Sequence, residues 1–577
     1  MIKKILAPLG EYKAASIKAP LFMVGEVVME LMLPFLMAYI IDRGVYAGDM
    51  GEVAKYGTLM LICAFISLAC GTLSGTNAAY ASAGFAKNLR KTMFEKINTF
   101  SFANIDKYST SGLVTRMMTD VTNVQNAFQM VLRMCIRAPL MLVVAMARTN
   151  YINAELAMGF LWAIIFLAVI LTWITLKAHP AFRKTFEKYD ELNSSIQENV
   201  TNVRVVKAYV KEQDETNKFN KAAENLMKMF QKAENYVVLN GPVMTLTAYG
   251  CIILLSWMGA HQIVNGTMTT GELMSMFTYT MNILSSLMML SMIFVMLTMS
   301  MAAAERIVQI LDEEPSIVAP ENAVKEVKDG SIDFDNVSFG YYAGEDKYVI
   351  NNLSLHIKSG ETIGILGPTG CSKSTLVSLI PRLYDVAEGS VKVGGVDVRD
   401  YDLKTLRDSV AMVLQKNVLF SGTIKDNMRW GNENATDEEI VEACKLACAD
   451  EFIHGHIDGY DRVIEQGGSN VSGGQKQRLC IARALLKKPK ILILDDSTSA
   501  VDTRTDALIR KSFREYIPTT TKLIISQRIS SIEDADRIVI MDDGQINGIG
   551  THEELLKTNE MYKSIYDTQK KGDDENE

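Results

Sequence analysis

The chain has 577 residues, more than a single hydrophobic core accommodates, so we expect two or three domains. Hydrophobic residues make up 48% of it and charged residues only 22%, a balance that favours a protein with a membrane part. The formal net charge of -8 argues against nucleic acid as a partner. The eight cysteines show no paired extracellular spacing and are interpreted as reduced structural thiols.

The apolar character is concentrated before about residue 312. Six segments there approach the roughly 20 residues that a helix needs to cross a bilayer. The predicted spans are 19–42, 54–78, 129–149, 153–176, 235–263 and 271–300. Lys and Arg cluster between spans two and three and between spans four and five, whereas Gly44–Gly51, Thr149–Asn153 and Gln262–Thr270 carry none. The positive-inside rule therefore predicts that both termini and the two long loops face the cytoplasm.

The two cation-rich loops are helical in composition. Residues 79–100 and 181–217 contain few Gly or Pro, and a helix over 53–100 would be about 70 Å long. This is more than twice the hydrocarbon thickness, so spans two to five are predicted to continue far into the cytoplasm. Short separate segments are predicted at the loop tips, at Thr110–Arg116 and Asn202–Tyr209.

A helix-breaking segment, Asp312–Pro320, marks the end of the membrane part. The predicted division is a transmembrane domain over 1–312, a linker over 313–330, an α/β domain over 331–568 and a disordered tail over 569–577. In the α/β domain, Ile332–Phe339 and Leu353–Ile357 alternate like antiparallel edge strands, and Ile363–Leu366 is typical of a buried parallel strand. The predicted fold class is a six-span α-helical domain followed by an α/β phosphate-loop domain.

The segment after Leu366 has the form of a phosphate-binding loop between a strand and a helix. Its backbone N–H groups and the positive end of the helix would hold phosphates, Lys373 would reach the outer phosphates, and Ser374 would ligate Mg²⁺. Ser372 stands where the motif has glycine, which costs free energy only if the backbone needs a positive φ or approaches a phosphate closely. The predicted nucleotide contacts are Gly367, Thr369, Gly370, Cys371, Ser372, Lys373, Ser374 and Thr375.

A second motif, Val471-Ser-Gly-Gly-Gln-Lys-Gln-Arg478, lies between the phosphate loop and an apolar strand that ends at Asp495. On these motifs the chain resembles the ATP-binding cassette (ABC) superfamily over essentially its whole length. Six spans with one C-terminal cassette over 331–568 resemble a half-transporter of the exporter type. The resemblance implies ATP and Mg²⁺ as cofactors.

The resemblance also implies roles for individual residues. Tyr341 would stack on adenine, with adjacent Tyr342 as the alternative register, and Asp495 and Gln415 would lie at the Mg²⁺ ion. Ser499–Asp502 resembles the loop that communicates across a cassette dimer. The signature residues would contact the γ-phosphate of ATP held by the opposite cassette; they are Val471, Ser472, Gly473, Gly474 and Gln475.

Two positions depart from the family's catalytic pattern. Asp496 replaces the glutamate that polarises the attacking water, and its carboxylate is drawn back by about 1.5 Å. A misplacement of about 1 Å can cost on the order of 10²-fold in rate. Gln527 replaces the switch histidine, and an amide cannot become a cation. ATP binding is therefore expected to survive, with slow hydrolysis at this site.

These two departures and Ser372 all fall in one nucleotide site, while the signature motif keeps its Ser-Gly-Gly-Gln core. This combination predicts one half of a heterodimer, with a degenerate ATP site of its own and an intact signature for the site of a homologous partner. A fully active homodimer is the alternative.

The membrane part bears on the cargo. Glu26 and Glu30, one turn apart on the first span, either face the cavity and attract cationic cargo, or pair with Arg133 or Arg137. Methionines in the sixth span suit adaptable ligand surfaces, but also lipid contact or packing. These methionines are Met274, Met276, Met281, Met288, Met289, Met292, Met296 and Met299.

The leading hypothesis is therefore an ATP-driven multidrug-type exporter subunit for small hydrophobic cargo, multi-pass in a bacterial plasma membrane. Translocation of lipid, peptide or metal chelate, including import, is the second hypothesis. An ATP-binding regulator that transports nothing is the third, and turnover stimulated by cargo in liposomes would separate it from the transporters.

Overall fold

The computed structural model describes residues 1–341, 348–497 and 500–574. The chain forms two compact units, one made of Met1–Thr99 with Ser109–Glu313 and the other of Phe100–Tyr108 with Glu314–Glu577. The short segment Phe100–Tyr108 thus groups with the second unit, although the predicted division placed it in the membrane domain.

The first unit is built from helices. Its α-helices are Ile2–Leu6, Lys13–Tyr39, Met50–Asn98, Thr110–Thr115, Val121–Ile152, Ala154–Thr201, Val203–Ala208, Glu212–Val237, Asn240–Val264 and Thr270–Asp312. A 3-10 turn covers Ala7–Tyr12, and π-helical turns cover Ile40–Val45 and Arg116–Asp120.

In the described part of the chain, six helical segments are long and apolar enough to cross a membrane, which confirms the predicted number. They are Ile2–Val45, Met50–Asn98, Thr110–Ile152, Ala154–Phe182, Glu212–Val264 and Thr270–Phe294. The helix Met50–Asn98 has 49 residues and Ala154–Thr201 has 48. Each is about 70 Å long, so both extend well beyond the hydrocarbon, as predicted.

Side-chain caps define where three membrane helices begin. The carboxylate of Asp49 and the amide oxygen of Asn153 accept backbone N–H groups of the first helical turn that follows. Thr269 and Glu272 form a reciprocal capping box. Each of the three connections on this side therefore ends in a capped helix N-terminus.

The two loop tips differ in how well they were predicted. The short helix Val203–Ala208 lies within the segment predicted for the second tip. At the first tip, Thr110–Thr115 instead runs through the π-helical turn Arg116–Asp120 into the long helix Val121–Ile152. The separate short helix is Phe102–Tyr108, so the prediction at this tip was wrong in position.

The second unit is an α/β domain. Its strands are β1 Ile332–Phe339, β2 Ile350–Ile357, β3 Thr362–Leu366, β4 Glu388–Val393, β5 Val396–Asp397, β6 Val410–Val413, β7 Gly422–Thr423, β8 Val463–Ile464, β9 Ile491–Asp495, β10 Thr521–Ile525, β11 Arg537–Asp542 and β12 Gln545–Gly550. A four-stranded antiparallel sheet has the order β2-β1-β4-β5, and β7 pairs with β8. The six-stranded sheet, in the order β12-β11-β3-β10-β9-β6, is parallel except for β12. The predicted antiparallel strands and the buried parallel strand are confirmed, and with them the fold class. Of the two predicted edge strands, β2 lies at an edge, whereas β1 is paired on both sides, with β2 and β4.

Helices flank these sheets. The α-helices of the second unit are Phe102–Tyr108, Lys373–Ser378, Leu403–Ser409, Ile424–Arg429, Asp437–Leu446, Asp450–His454, Gly473–Leu486, Thr503–Tyr516, His552–Thr558 and Glu560–Asp574. The last helix continues to Asp574, whereas a disordered tail was predicted from residue 569. Strand β3 is buried at the centre of the larger sheet, so the loop that follows it leaves from the carboxyl edge beside those after β9 and β10.

Candidate nucleotide site

The carboxyl edge of the larger sheet brings the predicted catalytic side chains together. The side chain of Ser374, after β3, lies beside the carboxyl of Asp495 at the end of β9, where it favours the ionised form. The side chain of Gln415, after β6, lies beside the carboxyl of Asp496, and Lys373 is close enough to act electrostatically on both carboxyls. Side chains that follow three separate strands thus lie close together at this edge.

The phosphate loop is folded tightly around its lysine. Lys373 Nζ donates to the carbonyl oxygens of Gly367 at 2.8 Å and Pro368 at 2.7 Å. A Cβ at Gly367 would lie 2.3 Å from the carbonyl oxygen of Met541, so only glycine fits. Thr369 and Gly370 are exposed, whereas the Cys371 side chain is buried, so only the backbone of Cys371 can face a ligand.

Ser372 has the backbone conformation that the glycine of the motif would favour. Its φ is +73°, in the left-handed region, where a side chain costs on the order of 1 kcal/mol. Its hydroxyl donates to the carbonyl oxygen of Val349 at 3.0 Å, a bond worth about 1 kcal/mol. The two terms are of similar size, which explains physically why serine is tolerated at this position.

This balance can be tested by two substitutions at the same position. We expect Ser372→Ala to weaken ATP binding by about 5-fold, because it keeps the strain but loses the hydrogen bond that organises the loop. Ser372→Gly removes both the strain and the hydrogen bond, so its affinity for ATP should stay within about 2-fold of the parent's. Titration of each purified variant with a fluorescent ATP analogue measures its affinity. Equal affinity of the alanine and glycine variants would contradict the idea that the hydrogen bond offsets the backbone strain.

The two acidic residues after β9 are protonated more readily than exposed carboxyls. Burial raises the pKa of Asp495, which is 4% exposed, and the opposing effects of Ser374 and Lys373 do not cancel it. Burial likewise raises the pKa of Asp496 against the lowering effects of Lys373, Arg528 and Gln415. A bound cation would favour the ionised forms of both.

The backbone at Asp496 is also in the left-handed region, with φ +46°. Aspartate tolerates this conformation better than longer side chains do. Its N–H donates to the carbonyl oxygen of Ile525 at 3.0 Å, which ties the turn after β9 to the end of β10. Gln527, two residues after the end of β10, is exposed.

The residues present fit Mg²⁺ and ATP. Hydroxyl, carboxylate and amide oxygens are the ligands that Mg²⁺ prefers, and Ser374, Asp495 and Gln415 supply one of each. Ser374 lies near enough to Asp495 to affect the pKa of its carboxyl, so the two side chains are close enough to serve one ion.

Tyr341 lies at the edge of the phosphate loop. The residue is 42% exposed, and its hydroxyl is 2.8 Å from Thr375 Oγ1. Phe339 supports the ring edge-on at 5.1 Å between centroids. The ring is therefore held in place with surface left for stacking. Tyr342, the alternative in register, lies outside the described residues.

A second tyrosine, which the sequence analysis did not identify, connects this edge to a loop tip. The ring of Tyr384 packs edge-on against Tyr341 at 5.3 Å, and its hydroxyl donates to the carboxylate of Asp106 at 2.8 Å. Burial, together with Asp106, raises the pKa of Tyr384 above its ordinary range. Asp106 belongs to the helix Phe102–Tyr108. Contacts therefore run from Thr375 through both tyrosines to this helix, and no motif spacing indicated them.

The signature motif presents the N-terminus of the helix Gly473–Leu486. The Ser472 hydroxyl accepts from the N–H of Gln475 at 3.3 Å, and the Gln475 side chain accepts from the N–H of Ser472 at 3.1 Å. A Cβ at Gly474 would lie 2.7 Å from the carbonyl oxygen of Ala500.

Ser472 and Gly473 are exposed, while Val471 packs its side chain against the core. Among the hydrogen bonds of the described residues, none joins Ser472, Gly473 or Gly474 to the phosphate loop. The first helical turn is therefore open to an anion from outside this chain's own loop. In the predicted communication loop, Asp502 caps the helix Thr503–Tyr516, and Ser499 lies outside the described residues.

Six membrane-crossing helices joined to a phosphate-loop domain with its own signature helix define a class of ATP-powered membrane transport proteins. Two family profiles match, the ABC transporter transmembrane region over residues 17–301 and the ABC transporter domain over residues 350–499. The chain belongs to the ABC transporter family, as an exporter-type half-transporter with a membrane domain fused to one nucleotide-binding domain.

Similar proteins cover the whole architecture. The uncharacterized ABC transporter ATP-binding protein YfiB of Bacillus subtilis is 38% identical over 568 residues, 98% of each chain. An ATP-dependent lipid A-core flippase of Desulfotalea psychrophila is 33% identical and covers 84% of each chain. A solved structure of a bacterial Atm1-family ABC exporter with ATP bound superposes with a TM-score of 0.85 at 25% identity, over 96% of this chain and 99% of that one.

Proposed function

We propose that this chain is one half of a heterodimeric ABC exporter of the multidrug type. The observation that carries the proposal is the contrast between the two motifs. Asp496 and Gln527 stand at the catalytic positions of the chain's own site, while Ser472 and Gly473 are intact and exposed at a capped helix N-terminus. The chain would hold one ATP with weak hydrolysis and complete the partner's catalytic site.

The site residues act on ATP through their charges and backbone donors. Lys373 and the backbone of the phosphate loop would bind the phosphates, and Tyr341 would stack on adenine. Ser374, Asp495 and Gln415 would hold Mg²⁺, which supplies neutralisation of phosphate charge. Asp496 would orient water from a position set back by about 1.5 Å, which makes hydrolysis slow.

The signature helix would act on the ATP of the partner. Ser472 would contact its γ-phosphate, and the N–H groups of Gly473 and Gly474 would add the positive end of the helix. Because ATP would then touch both cassettes, its binding closes the dimer. The helix Phe102–Tyr108, continuous in chain with the membrane helices on both sides, would carry that movement to the spans.

The contacts of the intramembrane carboxylates bear on the cargo. Arg137 donates to the carboxylates of both Glu26 and Glu30, the latter at 2.7 Å. Arg137 rather than Arg133 is therefore their partner, and one guanidinium serves both carboxyl groups. We propose hydrophobic cargo, with attraction for cationic groups reduced by this pairing.

The sixth span supports adaptable apolar contacts. Its exposed methionines on the single chain are Met274, Met281, Met288, Met292 and Met296. Met276 is buried, and the side chain of Met299 lies outside the described residues. Flexible thioethers on an exposed helix face suit cargo of variable shape.

The protein is an integral, multi-pass membrane protein, and we propose a bacterial plasma membrane with both termini in the cytoplasm. The cation-rich loops on one side support this orientation. Lipid translocation is the second candidate function, which the 33% identity to a lipid A-core flippase favours.

The test compares the purified chain alone with the chain co-expressed with a homologous half-transporter, which we expect to be encoded by a neighbouring gene. We expect the chain alone to hydrolyse ATP slowly. The pair in liposomes should transport a lipophilic dye, and the dye should stimulate its ATP hydrolysis. Brisk hydrolysis by the chain alone would contradict the heterodimer. Movement of a fluorescent phospholipid without dye transport would favour the lipid translocator.

A further inference from the structure

The segment that contains Gln527 is held by the last helix of the chain. Gln569 Nε2 donates to the carbonyl oxygen of Gln527 at 2.7 Å, and Gln569 Oε1 accepts from the N–H of Ile529 at 2.9 Å. One side-chain amide thus satisfies both a backbone acceptor and a backbone donor two residues apart. This is the pattern by which a neighbouring strand would pair with the segment.

The helix Glu560–Asp574 is anchored so that Gln569 faces this segment. Tyr562 is fully buried in the core, and its hydroxyl bonds to His552 Nδ1 at 2.7 Å. Gln569 follows Tyr562 by seven residues, two helical turns, so the two share one helix face. Tyr566, between them, packs partly buried against the same core.

The other end of the segment is fixed as well. Ile529 is 2% exposed and belongs to the hydrophobic core, while Gln527 is exposed. Ile529 is therefore held in place by the core as well as by Gln569, whereas the position of the Gln527 carbonyl depends mainly on its hydrogen bond to Gln569. Any movement of the Gln527 backbone toward a bound nucleotide must stretch or break the first of the two hydrogen bonds.

We propose that Gln569 is a positioning residue for Gln527–Ile529, through which the C-terminal helix sets the conformation of this segment at the ATP site. ATP binding and the conformation of the C-terminal helix are then coupled in both directions, because a ligand that shifts the segment Gln527–Ile529 also shifts Gln569, which is hydrogen-bonded to it. The inference rests on the proposed function only in taking the segment as part of the ATP site.

Amide hydrogen exchange of the full chain, with and without Mg-ATP, tests this proposal at single residues. In Gln569→Ala we expect the Ile529 amide to exchange about 2- to 10-fold faster, the effect of losing one hydrogen bond. Gln569→Glu keeps an acceptor for Ile529 and loses only the donor to Gln527, so Ile529 exchange should stay within about 2-fold of the parent. In the parent, ATP is expected to alter exchange in the helix around Tyr566, and in Gln569→Ala this response should disappear.

Lys563→Ala is the matched control, since Lys563 is exposed on the same helix and should change none of these rates. Faster exchange throughout the helix in Gln569→Ala would show that the helix itself unfolds, rather than that only the two hydrogen bonds of Gln569 are lost, and would overturn the proposal. Unchanged exchange at Ile529, or an ATP response of the helix that survives the substitution, would overturn it too. The readout needs only the full chain and its nucleotide, so a failed heterodimer does not affect it.

Discussion

Gly474→Asp in this chain is expected to lower the ATPase rate of the assembled pair by about 10²- to 10³-fold, the range found when a preorganised phosphate or oxyanion donor is lost. A side chain at this position meets the carbonyl oxygen of Ala500 at 2.7 Å and so displaces the helix N-terminus. The added carboxylate also repels the γ-phosphate that the helix would bind. Steady-state phosphate release by the purified pair measures the effect.

The informative control lies in the chain's own site. Asp496→Asn removes the carboxylate there but should change the rate of the pair by less than about 2-fold, because that site contributes little turnover and a 1 Å misplacement already costs about 10²-fold. Both variants must assemble and unfold thermally like the parent pair. A large loss in Asp496→Asn, equal to that in Gly474→Asp, would mean that both sites turn over and that the asymmetric assignment is wrong.

The double substitution Asp496→Glu with Gln527→His is expected to raise hydrolysis at this chain's site by about 10²-fold. Glutamate restores the missing methylene, and histidine supplies a group that can be charged near the γ-phosphate. The left-handed backbone at residue 496, with φ +46°, opposes the change, at a cost of about 1 kcal/mol or less. The assay uses a pair in which the partner's own catalytic carboxylate has been neutralised, so that only this site contributes.

The two single substitutions separate the causes. If Asp496→Glu alone gives most of the gain, the reach of the carboxylate limits this site. If only the double variant is active, the switch position is limiting as well. A double variant that stays at the level of Asp496→Asn would show that this site is limited by the signature of the partner instead.

The nucleotide site was predicted from the sequence because its parts are contiguous motifs at strand ends. A glycine-rich loop after a buried strand and two carboxylates after another must meet when those strands are parallel neighbours, as β3, β10 and β9 are. The membrane spans were predicted for a similar reason, since each is one continuous apolar segment. The loop tip was misplaced because Thr110–Thr115 contains Gly, Ser and two Thr, a composition typical of a helix break, and only the tertiary structure shows that it leads into the long helix that follows.

The sequence by itself determined the fold class, the six spans, the phosphate loop and the departures at residues 496 and 527, because these are local patterns of hydrophobicity and residue type. Only the tertiary structure decided which arginine pairs with Glu26 and Glu30, and why Ser372 is tolerated. The hydrogen bond from Tyr384 to Asp106 joins residues 278 positions apart, and the hydrogen bond from Gln569 to Gln527 joins residues 42 positions apart. Such contacts depend on how distant segments pack against each other, and no periodicity or spacing in the chain encodes them.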